Sequence, residues 1–266
     1  MLVVIKGAGD LASGVAVRLY RAGFVPAMTD LPFPTAIRRT VSFCPAILEG
    51  EAQVEDVRAK FAKNAEEARA LIDSGVIAVL ADPGANIVRE LKPDVLIDAV
   101  LAKRNIGTHI SDAPIVIALG PGFTAGVDCH AVVETMRGHQ LGRVYYEGSA
   151  IANTGSPGDI GGYTLERILR APCAGTFEPI SKIGDIVKAG QTVARVDGQP
   201  IVAQIGGVLR GILPAGCAVD QGMKSGDVDP RCKIAHCYTV SDKARSIGGG
   251  VLEALLTLAK KKGLCL

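Results

Sequence analysis

A glycine-rich loop directly after the first apolar run is the feature that most restricts how this chain can fold. Leu2–Ile5 has the length and character of a buried strand, and the loop Gly7-Ala-Gly-Asp-Leu-Ala-Ser-Gly14 follows it. The loop opens the helical spacing of Leu11–Ala22, so a strand, a tight turn and a helix come in succession. This order matches the GxGxxG/A pattern, in which glycines let the backbone approach a bound group or a packed neighbour.

Apolar runs of strand length recur at intervals as far as residue 165. The clearest helical stretch between them is Val54–Ser74, which is rich in Ala, Glu, Lys and Arg. Alternating strands and helices are typical of a mainly parallel sheet with helices on its faces. The sequence therefore predicts a Rossmann-like α/β domain over residues 1–165, with further strands at Phe24–Met28, Ile77–Leu80, Val95–Ala99 and Ile115–Leu119.

An internal repeat distinguishes residues 171–235. Three glycines recur at an offset of 32 residues: Gly175, Gly184 and Gly190 correspond to Gly207, Gly216 and Gly222. Two copies of a short β unit predict a small pseudo-symmetric all-β module. Within it, Ile183-Gly-Asp-Ile-Val-Lys-Ala-Gly-Gln191 resembles the turn of biotinyl and lipoyl domains, which implies a barrel-sandwich-hybrid-like fold. The hairpin Val196–Pro200 lacks the lysine that such domains modify, so neither lipoate nor biotin is expected.

The last residues return to a helical pattern. Apolar residues share one face, and the lysines of the last turn suit the helix dipole. They are Val251, Leu252, Leu255, Leu256, Leu258 and Lys260–Lys262. We expect residues 241–266 to form a C-terminal helix that packs back on the first domain. Gly248-Gly-Gly250 precedes the apolar face and is interpreted either as an anion nest or as close packing against the β module. Thr154–Gly162 is interpreted as a linker.

Composition excludes several classes of protein. With 48% apolar and 21% charged residues among 266, the chain is globular rather than disordered. Its net charge of +2 is far from the basic footprint of a general nucleic-acid binder, and it contains no apolar run long enough to span a membrane. Seven cysteines without a CxxC pair are typical of reduced thiols in the cytoplasm, where we place the protein. No His or Cys spacing indicates a metal site.

The first loop supplies the main candidate contacts to a ligand. Gly7 and Gly9 allow backbone approach, Ala12 is small enough for close helix packing, and free amides at the helix start favour an anion. Asp30 lies 23 residues after Gly7, about where a ribose-binding acid belongs, while Asp10 would bring its own negative charge to the loop. The loop thus predicts a site for an anionic nucleotide-like ligand, and a packing role is the alternative.

A second glycine loop follows the predicted strand Ile115–Leu119. Carboxyl ends of parallel strands share one edge of a sheet, so this loop is expected to face the first one. Its candidate contacts are Gly120, Gly122, Thr124 and Gly126, with Lys103 and Arg104 as a basic clamp near the end of the preceding strand. His130 is the one candidate proton donor or acceptor, and no residue is identified as catalytic.

Several longer motifs make the chain resemble a known family. They are Gly7–Gly14, Leu119–Gly126, Asn153–Gly155, Gly222–Arg231, Ser241–Ala244 and Gly248–Ala254. Together they are similar to the YqeB-like family of selenium-dependent molybdenum hydroxylase accessory proteins, and the first domain is more distantly similar to the XdhC/CoxI group. The resemblance implies a cytoplasmic maturation factor serving a molybdenum hydroxylase client enzyme, with a dinucleotide or the molybdenum cofactor as candidate ligand. It carries over no catalytic residue.

Two other functions remain open at this point. The first is an NAD(P)-dependent oxidoreductase that uses His130 near the nicotinamide. The second is a non-catalytic scaffold that docks the client enzyme through the β module of residues 171–235. In each case we expect a small anionic ligand or the client enzyme as partner, and neither nucleic acid nor a membrane.

Overall fold

The structure, a computed structural model, describes residues 1–155 and 158–265. They form two compact units. The α/β unit comprises Met1–Pro34, Ser42–Thr154 and Val240–Leu266, and the β unit comprises Thr35–Val41 and Gly155–Thr239. Ser156 and Pro157 of the predicted linker, and Leu266 of the predicted C-terminal segment, lie outside the described residues. Within the described ranges, no helix has both the length and the apolar character needed to cross a membrane.

One large sheet forms the centre of the α/β unit. Its strands, together with a separate pair, are β1 Val3–Lys6, β2 Ala27–Asp30, β3 Glu51–Val54, β4 Val57–Phe61, β5 Ile77–Ala81, β6 Val95–Asp98, β7 Ile115–Leu119, β8 Thr124–Ala125, β9 Ala131–Val133, β10 Val144–Tyr145 and β11 Gly148–Ser149. The sheet order is β10-β9-β7-β6-β1-β2-β5-β4-β3, and β8 pairs with β11 apart from it. The neighbouring strands in the order β9-β7-β6-β1-β2-β5-β4 all pair in parallel. The two edge strands are antiparallel to their neighbours, since β3 pairs with β4 and β10 pairs with β9 in opposite directions.

The helices of this unit do not follow the predicted pattern. They are α1 Asp10–Arg21, α2 Ala46–Glu49, α3 Ala65–Asp73, α4 Val88–Leu91 and α5 Asp242–Lys262. The β5–β6 connection contains only the single turn α4, and residues 99–114, all of them described, connect β6 to β7 without a helix. The predicted Rossmann-like domain is therefore wrong, because antiparallel strands at both edges make the sheet mixed and these crossovers lack the helices that such a domain requires.

The predicted helix Val54–Ser74 is also wrong over its first half. Buried Val57 and Ala59 alternate with exposed Arg58 and Lys60, which is the period of a strand, and this segment is β4 of a hairpin with β3. A helix begins only at α3, where the Asn64 side chain accepts a hydrogen bond from the Glu67 amide at 2.9 Å. Composition favoured a helix, but pairing with the neighbouring strands decides the conformation.

Helix α5 packs against α1 through small residues. It begins at Asp242, capped by the Ser241 side chain, so the triple glycine lies inside the helix. A Cβ on Gly248 would lie 3.0 Å from the Arg18 Cβ of α1, and one on Gly250 would overlap the Gly142 carbonyl. Both proposed roles of this motif, the anion nest and packing against the β module, are thus corrected. The glycines allow α5 to lie close to its neighbours in the α/β unit.

The β unit consists of two antiparallel sheets around one core. Its strands are β12 Ile168–Arg170, β13 Gly175–Pro179, β14 Ile186–Val187, β15 Thr192–Val196, β16 Gln199–Val202, β17 Gly207–Ile212, β18 Ala218–Val219 and β19 Lys224–Asp229. The sheet orders are β12-β19-β17-β14 and β16-β15-β13-β18. Strands β13, β14 and β15 recur 32 residues later as β17, β18 and β19, which follows the glycine repeat. These two four-stranded sheets replace the predicted barrel-sandwich hybrid, which is not clearly formed.

A buried ladder of ion pairs lies within the β unit. Asp227 accepts from Arg167 and Arg210, and Asp229 accepts from Arg210 and Arg231. Burial raises the pKa of the Asp229 carboxyl, but hydrogen bonds from Arg231 and the charge of Arg210 outweigh that effect and hold the pKa at about 2. Arg231 is exposed, whereas the other four members of the ladder are buried in a low-dielectric interior, where each depends on its partners.

Candidate functional site

A lysine and an aspartate end two neighbouring strands and meet in the interior of the α/β unit. Lys6 of β1 and Asp98 of β6 are register partners, and both are almost fully buried. Lys6 Nζ lies 3.7 Å from Asp98 Oδ2 and donates to Thr108 Oγ1 at 3.0 Å. The Thr108 hydroxyl in turn donates to Asp98 Oδ2 at 2.5 Å. The three side chains form one connected polar cluster at the carboxyl end of the strands.

Asn105 makes several of the hydrogen bonds that hold the loop after β6. Asn105 Oδ1 accepts from the amides of Gly107 and Thr108 at 2.9 and 2.8 Å, and Asn105 Nδ2 donates to the Thr108 carbonyl at 2.7 Å. Asn105 Nδ2 also lies 3.4 Å from an Asp128 carboxylate oxygen in the loop after β8. This turn chemistry replaces a crossover helix and fixes the Thr108 hydroxyl beside Lys6.

The cluster opens into a cleft of about 840 Å³, which we call the Lys6 cleft. Its walls come from the loops before and after β6. The lining includes Lys6, Asn86, Arg89, Lys92, Asp94, Thr108, His109, Ser111 and Asp112. Lys6 and Thr108 are buried at its floor, whereas Arg89, Lys92 and His109 are exposed at its rim. A volume of this size is within the range of small-molecule sites, roughly 300–1,000 Å³.

Both basic and acidic side chains line this cleft. Its two carboxylates are already engaged by backbone amides, because Asp94 Oδ2 accepts from the Leu2 amide and Asp112 Oδ2 from the His109 amide, each at 2.8 Å. The lysines and Arg89 are permanent donors at neutral pH. Because Lys6 is also paired with Asp98, the basic groups that remain for a bound oxyanion are mainly Arg89 and Lys92.

The first predicted loop is closely packed in the structure. Gly7 has φ +104°, and a Cβ there would lie 2.9 Å from the Ala99 carbonyl oxygen. The Ala8 carbonyl accepts from the Cys44 amide at 3.0 Å, and Ser13 Oγ accepts from the Phe43 amide at 2.8 Å. Residues 43 and 44 thus contact the loop beside the helix start. These hydrogen bonds pack the loop against another segment of the chain, which is the alternative to ligand binding that the sequence left open.

The remaining residues of the first predicted site surround this turn. Gly9 is the N-cap of α1, half-buried Asp10 is in its first turn, and Ala12 is buried. Asp30 Oδ2 accepts from the Ala8 amide at 2.7 Å, so its carboxylate faces the loop. Burial raises the pKa of Asp30, whereas the amides of Leu31 and Ala8 lower it by a smaller amount.

The second predicted loop meets the Lys103–Arg104 segment. Gly122 has φ +106°, and a Cβ on it would lie 2.5 Å from the Arg104 Cα, so the two chains are in backbone contact. A Cβ on Gly120 would similarly meet the Thr135 side chain. Thr124 begins β8, Gly126 follows it, and Lys103 and Arg104 are exposed. The structure therefore brings Gly122, Lys103 and Arg104 together, but none of them lines the Lys6 cleft.

His130 lies at the opposite edge of the sheet. It precedes β9, its Nδ1 accepts from the Val116 amide at 3.0 Å, and its Nε2 is 3.1 Å from Lys262 Nζ. Burial and the charge of Lys262 lower the pKa of His130, against a smaller effect of the Val116 amide. The predicted role of His130 beside a nicotinamide is wrong, because the glycine loops are at the carboxyl ends of the strands.

Sequence reasoning did not identify Lys6, Thr108 or Asn105 as residues of a site. The available signal was a charged residue at the end of two apolar runs, Val3-Val-Ile-Lys6 and Val95-Leu-Ile-Asp98. Among the described residues, no group of three or more His, Cys, Asp or Glu side chains is placed to hold a metal ion.

Comparison with known proteins identifies one relative across nearly the whole chain. The uncharacterized protein YqeB of Escherichia coli (strain K12) is 53% identical over 257 residues, which cover 97% of this chain and 48% of the relative. The chain thus spans about half the length of the curated relative it matches. No family model matches the chain.

Two solved structures give weaker matches. A succinylglutamate desuccinylase/aspartoacylase from Rhodobacter sphaeroides is 25% identical, with 24% of this chain and 21% of that chain covered and a TM-score of 0.21. An aspartoacylase family protein from Mesorhizobium loti is 15% identical, with 56% and 60% covered and a TM-score of 0.25. These TM-scores are too low to carry an aspartoacylase activity over to this chain.

The comparisons correct the function expected from the sequence. The predicted role in molybdenum hydroxylase maturation and the predicted Rossmann-like nucleotide binding are withdrawn, because neither the curated relative nor the two solved structures described above is named for either. The name of the curated relative assigns neither selenium nor molybdenum chemistry. The identity of 53% over 97% of the chain supports membership of a YqeB-like family, which is the general part of the resemblance.

Proposed function

We propose that the α/β unit binds a small, non-nucleotide metabolite with at least one oxyanion, either a carboxylate or a phosphate, in the Lys6 cleft. The observation that carries the proposal is the position of Lys6, whose ammonium is buried and yet lies on the floor of a cleft of about 840 Å³. Asp98 compensates this ammonium within the sheet, and the cleft beside it gives the oxyanion of a ligand access to the same group.

The surrounding groups support an anionic ligand. Arg89, Lys92 and His109 lie at the rim above Lys6, while the two carboxylates of the lining accept backbone amides. Basic side chains at the rim would contact the outer charge of a ligand whose inner oxyanion meets Lys6 and Thr108. The lining contains no Phe, Tyr or Trp on which a base could stack, which favours a small polar metabolite over a nucleotide.

Calorimetric titration with three probes tests this proposal. Citrate represents the carboxylates, glycerol 3-phosphate the phosphates, and AMP the nucleotides. We expect citrate or glycerol 3-phosphate to bind, with AMP binding no more tightly than glycerol 3-phosphate. Failure of both citrate and glycerol 3-phosphate to bind the folded protein would overturn the proposal.

A pair of double variants locates the site. Arg89→Gln/Lys92→Gln removes two rim charges and should weaken binding at least tenfold, a change of about 1.4 kcal/mol. Arg58→Gln/Lys60→Gln removes the same charge from exposed positions of β4, outside the cleft, and should bind as the unaltered protein does. Equal affinities for the two double variants would place the ligand elsewhere.

A further inference from the structure

A buried hydroxyl next to Lys6 lacks a hydrogen-bond partner. Thr29 of β2 is fully buried, and in the part of the chain that the structure describes its Oγ1 has no hydrogen-bond partner. Burying a hydroxyl without a partner is unfavourable, so nearly all buried polar atoms of folded proteins are paired. An unpaired one close to a ligand cleft indicates a place where an atom from outside the chain completes the hydrogen bond.

The register of the large sheet places Thr29 beside Lys6. Lys6 pairs with Thr29 of β2 on one side and with Asp98 of β6 on the other. Val4 and Ala27, two residues earlier on the same two strands, belong to one hydrophobic core. Because side chains alternate between the faces of a strand, Lys6 and Thr29 lie on that same face. Neighbouring strands are about 4.8 Å apart, so one small group can contact both side chains.

The hydrogen bonds around Lys6 leave donors to spare. Thr108 has a single hydroxyl proton and donates it to Asp98 Oδ2 at 2.5 Å, so it cannot donate the same proton to a ligand. Lys6 Nζ carries three protons and directs one at Thr108 Oγ1 at 3.0 Å, with Asp98 Oδ2 3.7 Å away. Within the described residues, at least one ammonium proton of Lys6 and the hydroxyl proton of Thr29 are therefore not used.

We propose that the Thr29 hydroxyl and the Lys6 ammonium together hold the inner oxyanion of the ligand, each donating a hydrogen bond to a different oxygen. This inference rests on the function proposed above and adds a residue that does not itself line the cleft. The Asp98 carboxylate lies on the β6 side of Lys6, and like charges repel, so the oxyanion belongs on the opposite, β2 side. Thr29 lies on that side.

Thr29→Val separates a ligand contact from a structural hydrogen bond. The substitution replaces the hydroxyl by a methyl group of similar size and keeps the β-branched shape that suits a strand. Without ligand it removes an unpaired buried hydroxyl, so the melting temperature should be unchanged or higher. With ligand it removes one of the two donors to the oxyanion, so the affinity should fall by at least about tenfold.

Calorimetric titration with citrate and with glycerol 3-phosphate measures these affinities, and thermal unfolding without ligand measures the stabilities. Thr29→Ser keeps the hydroxyl and should restore most of the affinity that Thr29→Val loses. Thr192→Val makes the same change on β15 of the β unit and should bind both probes as the unaltered protein does.

Three results would overturn the inference. The first is equal affinity of Thr29→Val and the unaltered protein. The second is a loss of the same size in Thr29→Ser or Thr192→Val, because the hydroxyl of Thr29 would not be its cause. The third is a lower melting temperature of Thr29→Val, which would show that the hydroxyl supports the fold. If neither probe binds the unaltered protein, the proposed function itself fails, and this inference fails with it.

Discussion

Lys6 Nζ lies 3.7 Å from Asp98 Oδ2 across neighbouring parallel strands, and the Thr108 hydroxyl bridges the two. Both charges are removed from solvent, so each depends on the other for compensation. The pair therefore links the stability of the sheet centre to the charge at the floor of the Lys6 cleft.

Removing one member of this pair should be strongly destabilising. Asp98→Ala leaves the Lys6 ammonium uncompensated and should lower the free energy of unfolding by about 3–5 kcal/mol. Arg137→Gln, which breaks the exposed pair with Asp242, should cost no more than about 1 kcal/mol. Urea denaturation followed by circular dichroism measures both. A loss for Asp98→Ala as small as that for Arg137→Gln would contradict the buried pair.

Adjacent glycines of α5 should respond in opposite directions to alanine. Gly250→Ala places a Cβ on the Gly142 carbonyl and near Val133, and overpacking of this kind typically costs about 1–3 kcal/mol. Gly249 has open space around its Cβ position, so Gly249→Ala should stabilise the helix by about 0.5–1 kcal/mol. Thermal unfolding of the two variants checks this, and a shift of both melting temperatures in the same direction would refute the packing described for α5.

Acid should weaken the β unit through Asp229. Its pKa is about 2 in the folded state, below the ordinary value of 3.8, so its contribution is fully present above the ordinary value and is lost as the pH falls towards 2. The loss should be at most about 2 kcal/mol. Urea unfolding between pH 6 and pH 2.5 measures it for the unaltered protein and for Asp229→Asn. The variant is expected to show a shallower decline, and parallel curves would exclude Asp229 as the cause.

Cysteine reactivity should separate into two classes. None of the seven cysteines, all of which the structure describes, is in a disulfide, and Cys232 and Cys265 are exposed. These two should react rapidly with a thiol reagent at pH 8, whereas burial and the charge of Asp128 raise the pKa of the Cys129 thiol to about 12 and keep it unreactive. All seven should react after denaturation without a reductant. Fewer than seven would reveal a disulfide.

Local sequence patterns were enough to locate the first strand and several later ones. The apolar run Leu2–Ile5 overlaps β1, and its glycine turn leads into α1 because both elements are determined by neighbouring residues. The strands at Ile77–Leu80, Val95–Ala99 and Ile115–Leu119 correspond to β5, β6 and β7. Val54–Ser74 failed because its composition suits a helix, whereas its conformation depends on pairing with another strand.

Local sequence patterns could not predict the candidate site, because its residues are far apart in the sequence. Lys6 and Asp98 are 92 residues apart, and only the register of β1 with β6 brings them together. A glycine loop, in turn, has the same sequence whether a ligand or another segment of the chain lies against it. The contacts of Cys44 with Ala8 and of Gly122 with Arg104 are tertiary, and no local pattern distinguishes them from ligand contacts.

The division of the α/β unit along the chain has a consequence for biosynthesis. Residues 155–239, nearly all of the β unit, are translated before α5, yet α5 packs on α1 through Gly14 and Gly248. During translation the apolar face of α1 that α5 covers therefore stays open until residues 242–262 have left the ribosome. The strands of the α/β unit are made early, but the unit completes its core last, and its nascent chain exposes apolar surface throughout that interval.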